Sequence, residues 1–526
     1  MSTLRVLDPQ TAERLPDGRA PRPTPYLNDR VLVRGLPGLS RDIPLKALTD
    51  VAEELGLEVR IHETPGVERA REGRDIEVLD RIWVTSVELV SPANTPVDAW
   101  PILLAARRRL TQPQLIRRLD RLEHLKRLRV ARQLQLDHVM SVAGYESMPY
   151  YVPLPYYVPL PYYVPLPYYV PLPVQPAGEY QHPGSGGRTP VAVVLDDPAC
   201  RARELKRAPL VVVPDSGLGP HPWFADENRI TEKVSAQGLT LGIGGDLPQT
   251  TPSEPGNPLD GSVAPYRGHA TFIAGLIRQT CPEARIQVVH MLDDAGTVPE
   301  GALIPVLTKL LERQLDILAG SGDEADLIDV ISLSLGYYHE DPKDQLEDAP
   351  LRNVLQEFGR LGVAVVASAG NQSTTDKLYP AAFSGQTEAF DVGRVPLVSV
   401  GALNPDGTVA YFSNDGDWVG CWRPGAALVS TLPTDIDGEL EPRARRTFDP
   451  ATGLAGTAKG RTRATIDPDN FSGGFGTWSG TSFAGPVLAG QIAARLADDP
   501  TLAEVDQTSA VERAWRAVSA EVGWTP

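Results

Sequence analysis

The chain has 526 residues, a formal net charge of -17 and three cysteines. Its length predicts two or three domains rather than a single small core. The acidic balance argues against a nucleic-acid partner, the separated cysteines argue against a disulfide framework or a zinc motif, and the lack of an apolar run of about 18 residues argues against a membrane span. Because the start of the sequence also lacks the apolar stretch of a secretory signal, we expect a cytoplasmic protein.

The charge is unevenly distributed along the chain. Residues 1–148 contain 23 Lys and Arg against 21 Asp and Glu, whereas the remainder contains 27 against 46. A nearly neutral first part and an acidic second part leave room for electrostatic docking of residues 1–148 on residues 191–526. Residues 106–132 are rich in arginine. We favour a solvated helix face for this stretch, with a basic docking surface as the alternative.

Residues 1–148 have the pattern of a small α+β domain with the order βαββαβ. Alternating apolar residues predict the strands, and helical periodicity predicts two helices, the first of which stops at Gly56. The predicted strands are 29–35, 57–63, 81–89 and 137–142, and the predicted helices are 44–56 and 98–110. Nothing in this domain indicates chemistry by itself.

The hexapeptide PYYVPL occurs four times in succession between Pro149 and Leu172. Nine prolines between residues 149 and 173 exclude a helix and predict a polyproline II segment about 75 Å long. The alternative is an edge strand, because every proline has an odd number and one edge therefore keeps its N–H donors. We favour a low-complexity linker over residues 149–190, with docking of its Tyr and Leu side chains on the protein or on a partner as a second hypothesis.

Residues 191–526 alternate short apolar runs with helical stretches. This alternation predicts an α/β domain with a mostly parallel sheet flanked by helices. The predicted strands are 208–217, 329–336, 362–371 and 395–402, and the predicted helices include 301–318 and 350–361. In such sheets the active groups lie beyond the carboxyl ends of the strands.

Four polar residues lie at such positions. Asp215 follows LVVVP, His269 lies where a polar stretch becomes helical, Asn371 ends VVASAGN, and Ser482 precedes a helix of small residues. Taken singly, turn formation accounts for the aspartate and the asparagine, and helix capping accounts for the serine. A serine at a helix start also lies beside backbone N–H groups and the positive end of the helix dipole.

Taken together, the motifs DSG, GHATFIAG, SAGN and GTSFAGP occur in an order that resembles the subtilase family of serine peptidases. The resemblance covers about residues 190–526 and implies a subtilisin-like sheet. It also implies that Ser482 is the nucleophile, that His269 is the general base, and that Asp215 orients and stabilises the imidazole. By the same resemblance, Asn371 donates its amide to the developing oxyanion.

The resemblance also assigns residues to the substrate cleft. Ser334, Leu335 and Gly336 are expected to pair with the substrate backbone as an added strand, and Ala369 and Gly370 are expected to help form the wall of the pocket before the cut. No cofactor is required. Calcium, which commonly stabilises subtilases, is a further candidate ligand, although no acidic loop identifies a site by its spacing.

Three residues depart from the family pattern. Ala270 stands where glycine usually follows the histidine, Phe272 where many members have a second histidine, and Phe483 where methionine usually follows the nucleophile. The extra methyl group of Ala270 is expected to crowd the cleft beside His269.

Subtilases often carry an N-terminal inhibitory domain whose βαββαβ pattern resembles that of residues 1–148. The implied function is a serine endopeptidase that cleaves polypeptides through an acyl-enzyme and is regulated by its N-terminal domain. An unrelated interaction domain is the alternative for residues 1–148. For the whole chain, the alternatives are a catalytically silent subtilase fold that binds partners through the Pro/Tyr repeat, or an esterase or ligase that uses the same triad.

Overall fold

The computed structural model describes most of the two regions on either side of the repeat, and the repeat itself lies outside the described residues. The described residues are 3–72, 74–111, 121–142, 188–194, 196–247, 263–293, 295–344, 346–384, 390–437, 445–446 and 463–525. We call residues 3–142 the first region and residues 188–525 the second region. Within these residues, no helix has both the length and the apolar character needed to cross a membrane.

The first region is an α+β unit. Its strands and helices are β1 (Leu4–Val6), β2 (Pro25–Arg34), α1 (Asp42–Glu54), β3 (Glu58–His62), α2 (Val67–Arg71), α3 (Ile76–Ile82), β4 (Val84–Val90), α4 (Ala99–Thr111), α5 (Arg121–Ala131) and β5 (Leu134–Val142).

These strands form an antiparallel sheet with the order β5-β2-β4-β3, and β1 pairs with β2. Alternate residues of β2 face opposite sides, so Val31 and Val33 join the core under α1 and α4, whereas Leu32 lies against Gly301 of the second region. The predicted βαββαβ order is confirmed. The structure adds β1, α2, α3 and α5, which the apolar pattern did not indicate.

The second region is an α/β unit with several short strands at its edges. Its helices are α6 (His269–Thr280), α7 (Glu300–Leu318), α8 (Pro350–Arg360), α9 (Thr481–Ala497) and α10 (Gln507–Val522). Its strands are β6 (Thr189–Pro190), β7 (Leu210–Asp215), β8 (Ile230–Thr231), β9 (Ser235–Ala236), β10 (Leu239–Thr240), β11 (Arg285–His290), β12 (Thr297–Pro299), β13 (Val330–Leu333), β14 (Leu335–Tyr338), β15 (Ala364–Ser368), β16 (Leu378–Tyr379), β17 (Val398–Leu403), β18 (Cys421–Pro424), β19 (Leu428–Thr431), β20 (Arg445–Arg446), β21 (Arg463–Ala464) and β22 (Phe475–Trp478).

A seven-stranded parallel sheet with the order β18-β17-β15-β13-β7-β11-β8 forms the centre of the second region. Helices cover both faces, because a parallel sheet buries both of its sides. In β7, Leu210 and Val212 belong to the core on the side of α7 and α8, whereas Val211 and Val213 belong to the core on the side of α6 and α9. The predicted fold class is confirmed. Thr189 and Pro190 of β6 pair with β22, so paired residues occur just before residue 191, where the predicted domain begins.

Strand β5 continues beyond its own sheet and joins the two regions. Its first half pairs with β2, and its last residues lie between two strands of the second region. On one edge Ser141 pairs with Gly336 and Val142 pairs with Leu335. On the other edge Met140 pairs with Val298 of β12. Both pairings are antiparallel, so the end of β5 is hydrogen-bonded on both sides.

Ion pairs add to this interface, with bases from the first region and acids from the second. Arg22 reaches Asp376 at 2.6 Å, and Arg74 reaches Asp316 at 2.6 Å. Other pairs of this kind among the described residues are Arg74 with Glu312, Arg19 with Asp341, Arg81 with Glu357, and Arg129 with Asp348. In each of these pairs the base belongs to the nearly neutral first part of the sequence and the acid belongs to the acidic second part, as the uneven charge predicts.

Most of these bases lie outside the arginine-rich stretch 106–132. Arg108 and Arg109 pair with Glu13 and Glu54 of their own region. Arg129 is largely exposed and lies 3.7 Å from its acidic partner. Arg107 of the same stretch instead lies beside Glu340 of the second region, so the stretch has residues of both kinds, and the choice between a solvated face and a docking surface stays a prediction.

Candidate active site

The four polar residues predicted from the motifs lie at carboxyl ends of strands or at starts of helices. Asp215 is the last residue of β7, and Asn371 follows β15. His269 is the first residue of α6, and Ser482 is the second residue of α9. All four are buried. The parallel topology places these chain ends at one edge of the sheet.

Asp215 and His269 form a direct hydrogen-bonded pair. The Nδ1 atom of His269 lies 2.7 Å from Oδ1 of Asp215, and the same oxygen accepts the backbone N–H of Ser216 at 2.7 Å. A carboxylate in this position holds the proton on Nδ1, which leaves Nε2 as the basic nitrogen.

The entry into α6 fixes the position of His269. Gly268 has a φ of +86°, and a Cβ at this position would lie 2.6 Å from Cδ of Pro433. Glycine therefore satisfies both the left-handed backbone and the close approach of the neighbouring loop. The backbone N–H of Ala270 donates to Oγ of Ser216 at 3.0 Å, so the start of the helix is tied to the residue after Asp215.

Hydroxyl groups at two strand ends hold the start of α9. Ser334 donates from Oγ to the backbone oxygen of Ser482 at 2.8 Å. Ser368 donates from Oγ to the backbone oxygen of Thr481 at 2.9 Å. These bonds connect the nucleophile candidate to the ends of β13 and β15, which keeps its position rigid relative to the sheet.

The side chain of Asn371 is oriented by Thr481. Its Oδ1 accepts the backbone N–H of Thr481 at 2.8 Å and the hydroxyl of the same residue at 2.9 Å. Because the oxygen is held in this way, Nδ2 is the end of the amide that can serve as a donor in the cleft.

An aromatic cluster surrounds His269 and accounts for two of the three departures from the family pattern. The ring of Phe483 lies 4.6 Å from that of Phe272 and 5.0 Å from that of Trp478. Trp478 meets His269 edge-on at 5.6 Å. Phe272 and Phe483 are thus packing partners, and Ala270 is accommodated in a fully buried position.

The structure does not join Ser482 to His269 by a hydrogen bond. Among the described residues, Oγ of Ser482 and Nε2 of His269 are buried and make no hydrogen bond. A serine hydroxyl is a weak nucleophile at neutral pH and needs an adjacent base. The arrangement supplies a basic imidazole nitrogen, a hydroxyl at a helix start and an amide donor, which are the groups needed for acyl transfer.

The predicted cleft residues lie around this site. Leu335 and Gly336 pair with β5, as described above, and Ser334 contacts Ser482. A Cβ on Gly336 would lie 2.8 Å from the backbone oxygen of Tyr379, so the chain can approach closely only at a glycine. Ala369 is fully buried, and the N–H of Gly370 donates to the hydroxyl of Thr481 at 3.0 Å.

Some residues that build the site were not predicted from the sequence. Thr481, Ser368 and Ser216 position the four candidate residues through hydrogen bonds. The available signal was a hydroxyl residue directly beside Asp215 and Ser482 and at the end of the strand that precedes Asn371. A grouping of possible metal ligands was also missed: His138, His339 and Glu340 come together in the structure.

Comparisons with known proteins identify the family of this chain. The family model described as "Subtilase family" matches residues 207–524. The chain is 25% identical over 242 residues to the "Intracellular serine protease" of Paenibacillus polymyxa, covering 43% of this chain and 53% of that protein. It is 28% identical over 195 residues to the "Major intracellular serine protease" of Bacillus subtilis (strain 168), covering 34% and 51%. It is 28% identical over 309 residues to the "Serine protease AprX" of the same bacterium, covering 56% and 58%.

The chain thus spans about half the length of the curated relatives it matches. The family match includes all four candidate residues and covers more than half of the chain. The resemblance seen in the motifs is therefore confirmed, and the chain belongs to the subtilase family.

Proposed function

We propose that this chain is a serine endopeptidase that cleaves polypeptides with Ser482, His269 and Asp215. The observation that carries the proposal is the 2.7 Å hydrogen bond between Asp215 and Nδ1 of His269, with Ser482 held at the start of α9 by bonds to two strand ends. The relatives named as serine proteases support the same activity.

In the proposed reaction, Oγ of Ser482 attacks the carbonyl carbon of the peptide bond. Nε2 of His269 takes the hydroxyl proton and later gives it to the leaving amine, while Asp215 stabilises the imidazolium. The resulting acyl-enzyme is hydrolysed by water, which is activated by the same histidine. Nδ2 of Asn371 and the backbone N–H of Ser482 donate to the oxyanion that develops on the carbonyl oxygen. These steps use side chains and backbone groups alone, and calcium stays a predicted stabiliser of the fold.

We further propose that the first region holds the enzyme latent. Leu335 and Gly336 are the residues expected to pair with substrate, and in this structure they pair with Val142 and Ser141 of β5. Pairing with β12 on the opposite edge gives the end of β5 the hydrogen-bonding pattern of an extended peptide in a groove. A substrate strand on β14 needs the same donors and acceptors, so it competes with β5.

The intracellular relatives support a cytoplasmic location for this chain. The boundaries 1–148, 149–190 and 191–526 stay predictions, as does the role of the PYYVPL repeat.

The experiment compares the intact mass of the wild-type chain and of Ser482→Ala after exposure to a fluorophosphonate. The proposal expects one label on the wild type and none on the variant. A label on both proteins would contradict the assignment of Ser482. A wild type that stays unlabelled, and that cleaves no peptide after the first region has been displaced with Met140→Asp, would favour the silent scaffold.

A further inference from the structure

A buried polar cluster lies where the first region meets the second. It contains His138 from β5 together with His339 and Glu340, which directly follow β14. The three side chains are at most 5% exposed. One ligand atom from each lies within 4.8 Å of the others. Because His138 and Glu340 are separated by 202 positions in the sequence, no motif of closely spaced ligands predicts this cluster.

Two distances within the cluster can be compared with those of a zinc site. Nε2 of His339 lies 3.4 Å from Oε2 of Glu340, and Nε2 of His138 lies 2.8 Å from the same oxygen. Ligand atoms around a tetrahedral zinc ion, at bond lengths of about 2.0–2.2 Å, lie about 3.3–3.5 Å apart. The first contact already has this spacing, and the second needs to open by roughly half an ångström.

The ring of His138 is oriented as metal-ligating histidines usually are. Its other nitrogen, Nδ1, lies 2.6 Å from Oε2 of Glu300, the first residue of α7. A carboxylate on the far nitrogen fixes the ring and raises its basicity, as in carboxylate–histidine–zinc arrangements. Tyr337 stacks on the same ring at 4.4 Å, which further limits its rotation.

Charges of both signs surround the cluster. Glu300 and Glu340 contact opposite nitrogens of His138, and Arg107 also interacts with Glu340. Because zinc binds an unprotonated imidazole nitrogen, the ion has to displace any proton on Nε2 of His138.

The cluster also contains a glutamate oxygen without a hydrogen-bond partner, and it borders a small cavity. Among the described residues, Oε1 of Glu340 is buried and accepts no hydrogen bond. A cavity of ≈ 30 Å³, lined by residues that include Arg107, Gln135, His339 and Asp344, reaches the edge of the cluster. That volume holds about two water molecules, enough for a fourth ligand.

We propose that His138, His339 and Glu340 bind one zinc ion that fastens the first region to the second. Two imidazoles and a carboxylate suit zinc better than calcium or magnesium, which prefer oxygen ligands. The ion ties β5 to the residues that follow β14, and therefore stabilises the pairing that covers Leu335 and Gly336. Only this regulatory consequence rests on the proposed function.

The test uses the full chain with Ser482→Ala, which keeps the protein intact if it cuts itself. After metal is removed by chelation, Zn²⁺ is titrated calorimetrically, and Co²⁺ is used as a spectroscopic probe. We expect one equivalent of tight zinc. Binding should be lost, or at least about 100-fold weaker, in His339→Ala and Glu340→Gln, and about 10–100-fold weaker in Glu300→Gln.

His62→Ala is the matched control. This histidine belongs to the first region and also contacts a glutamate, Glu88, at 2.8 Å, but it lies outside the cluster. Zinc affinity should be unchanged in this variant. If His339→Ala fails to fold, the conservative Glu300→Gln variant carries the test. Zinc should also slow amide exchange in residues 134–142 of the parent protein but not of His339→Ala.

Failure to bind zinc, or zinc binding that survives both His339→Ala and Glu340→Gln, would overturn the inference and leave His138 as a protonated bridge between two glutamates. Because the protein tested carries Ser482→Ala, this result does not depend on catalysis. Failure of the proposed activity would instead appear as a wild type that stays unlabelled and that cleaves no peptide after the first region has been displaced with Met140→Asp.

Discussion

The two regions of this protein use sheets of opposite kinds. In the central sheet of the second region the strands are parallel, so their carboxyl ends meet at one edge, and Asp215 and Asn371 lie there. In the first region the strands are antiparallel, so their ends alternate between two edges, and no comparable set of polar groups gathers among the described residues. The first region instead contributes backbone, through the end of β5. Under the proposed function, the second region supplies the chemistry, and the first region supplies a strand that competes with the substrate for the groove.

The largest effect is expected when the proposed nucleophile of the second region is removed. Ser482→Ala should lower kcat by about 10⁶-fold, the magnitude known from subtilisin itself. Docking of the first region should be unaffected, because β5 pairs with β12 and β14 and not with α9. Turnover of a quenched fluorescent peptide measures the first effect, and the melting temperature measures the second. If the Ser482→Ala protein stayed active, the assignment of Ser482 in the second region as the nucleophile would be wrong.

The next effect concerns the oxyanion donor. Asn371→Ala should lower kcat by about 10²–10³-fold with a smaller change in KM, because the donor acts mainly in the transition state.

The matched variant for this position is Asn371→Asp. It keeps an oxygen to accept the N–H and hydroxyl of Thr481 but has no donor. If Asn371 only positions Thr481, Asn371→Asp should retain most of the activity. If it donates to the oxyanion, both variants should be impaired in the same peptide assay.

A third test disrupts the contact that β5 makes with the second region. Met140 is fully buried in the segment between β12 and β14. Met140→Asp places an unpaired charge there, which costs roughly 3 kcal/mol or more and should weaken docking by about 100-fold. Peptide turnover by the full chain should rise accordingly.

Met140→Leu is the control for this test, because it keeps the apolar volume and should leave turnover low. Equal turnover by both variants and the wild type would show that β5 does not limit access to the groove. Amide exchange in β14 provides an independent readout of the same docking.

The smallest effect is expected from the charged rim of the interface. Arg22 and Asp376 are partly exposed, with 29% and 47% of their side chains accessible. Pairs of this kind contribute about 0–1 kcal/mol, so Arg22→Ala should raise turnover by at most about fivefold, and less at high salt. Lys46→Ala breaks an exposed pair within the first region and should change nothing. A large effect of Arg22→Ala would mean that charge, rather than strand pairing, holds the regions together.

The parts of the site that could be predicted from the sequence are local. Asp215 and Asn371 end apolar runs, and Ser482 begins a small-residue helix, so each motif carries its own structural context. The central strands were predicted for the same reason, because strands buried on both faces are continuously apolar.

The parts that could not be predicted depend on contacts between distant segments. Phe272 and Phe483 read as departures from a motif, and only their packing with Trp478 explains them together. Residues 137–142 were predicted as a short strand, but their partners in β12 and β14 are set by tertiary packing and not by local propensity. His138 meets Glu340 for the same reason.

The covalent connection between β5 and the second region has a consequence for how the proposed latency would end. Val142 and Arg188 belong to one chain, so β5 is present at an effective concentration of about a millimolar or below, whatever the protein concentration. A cut anywhere in residues 143–187 turns this intramolecular contact into a bimolecular one. Under the proposed function, a cut sample should then gain activity on dilution, whereas an uncut sample should not. Under that proposal, latency depends on the continuity of the chain as much as on the contacts at the groove.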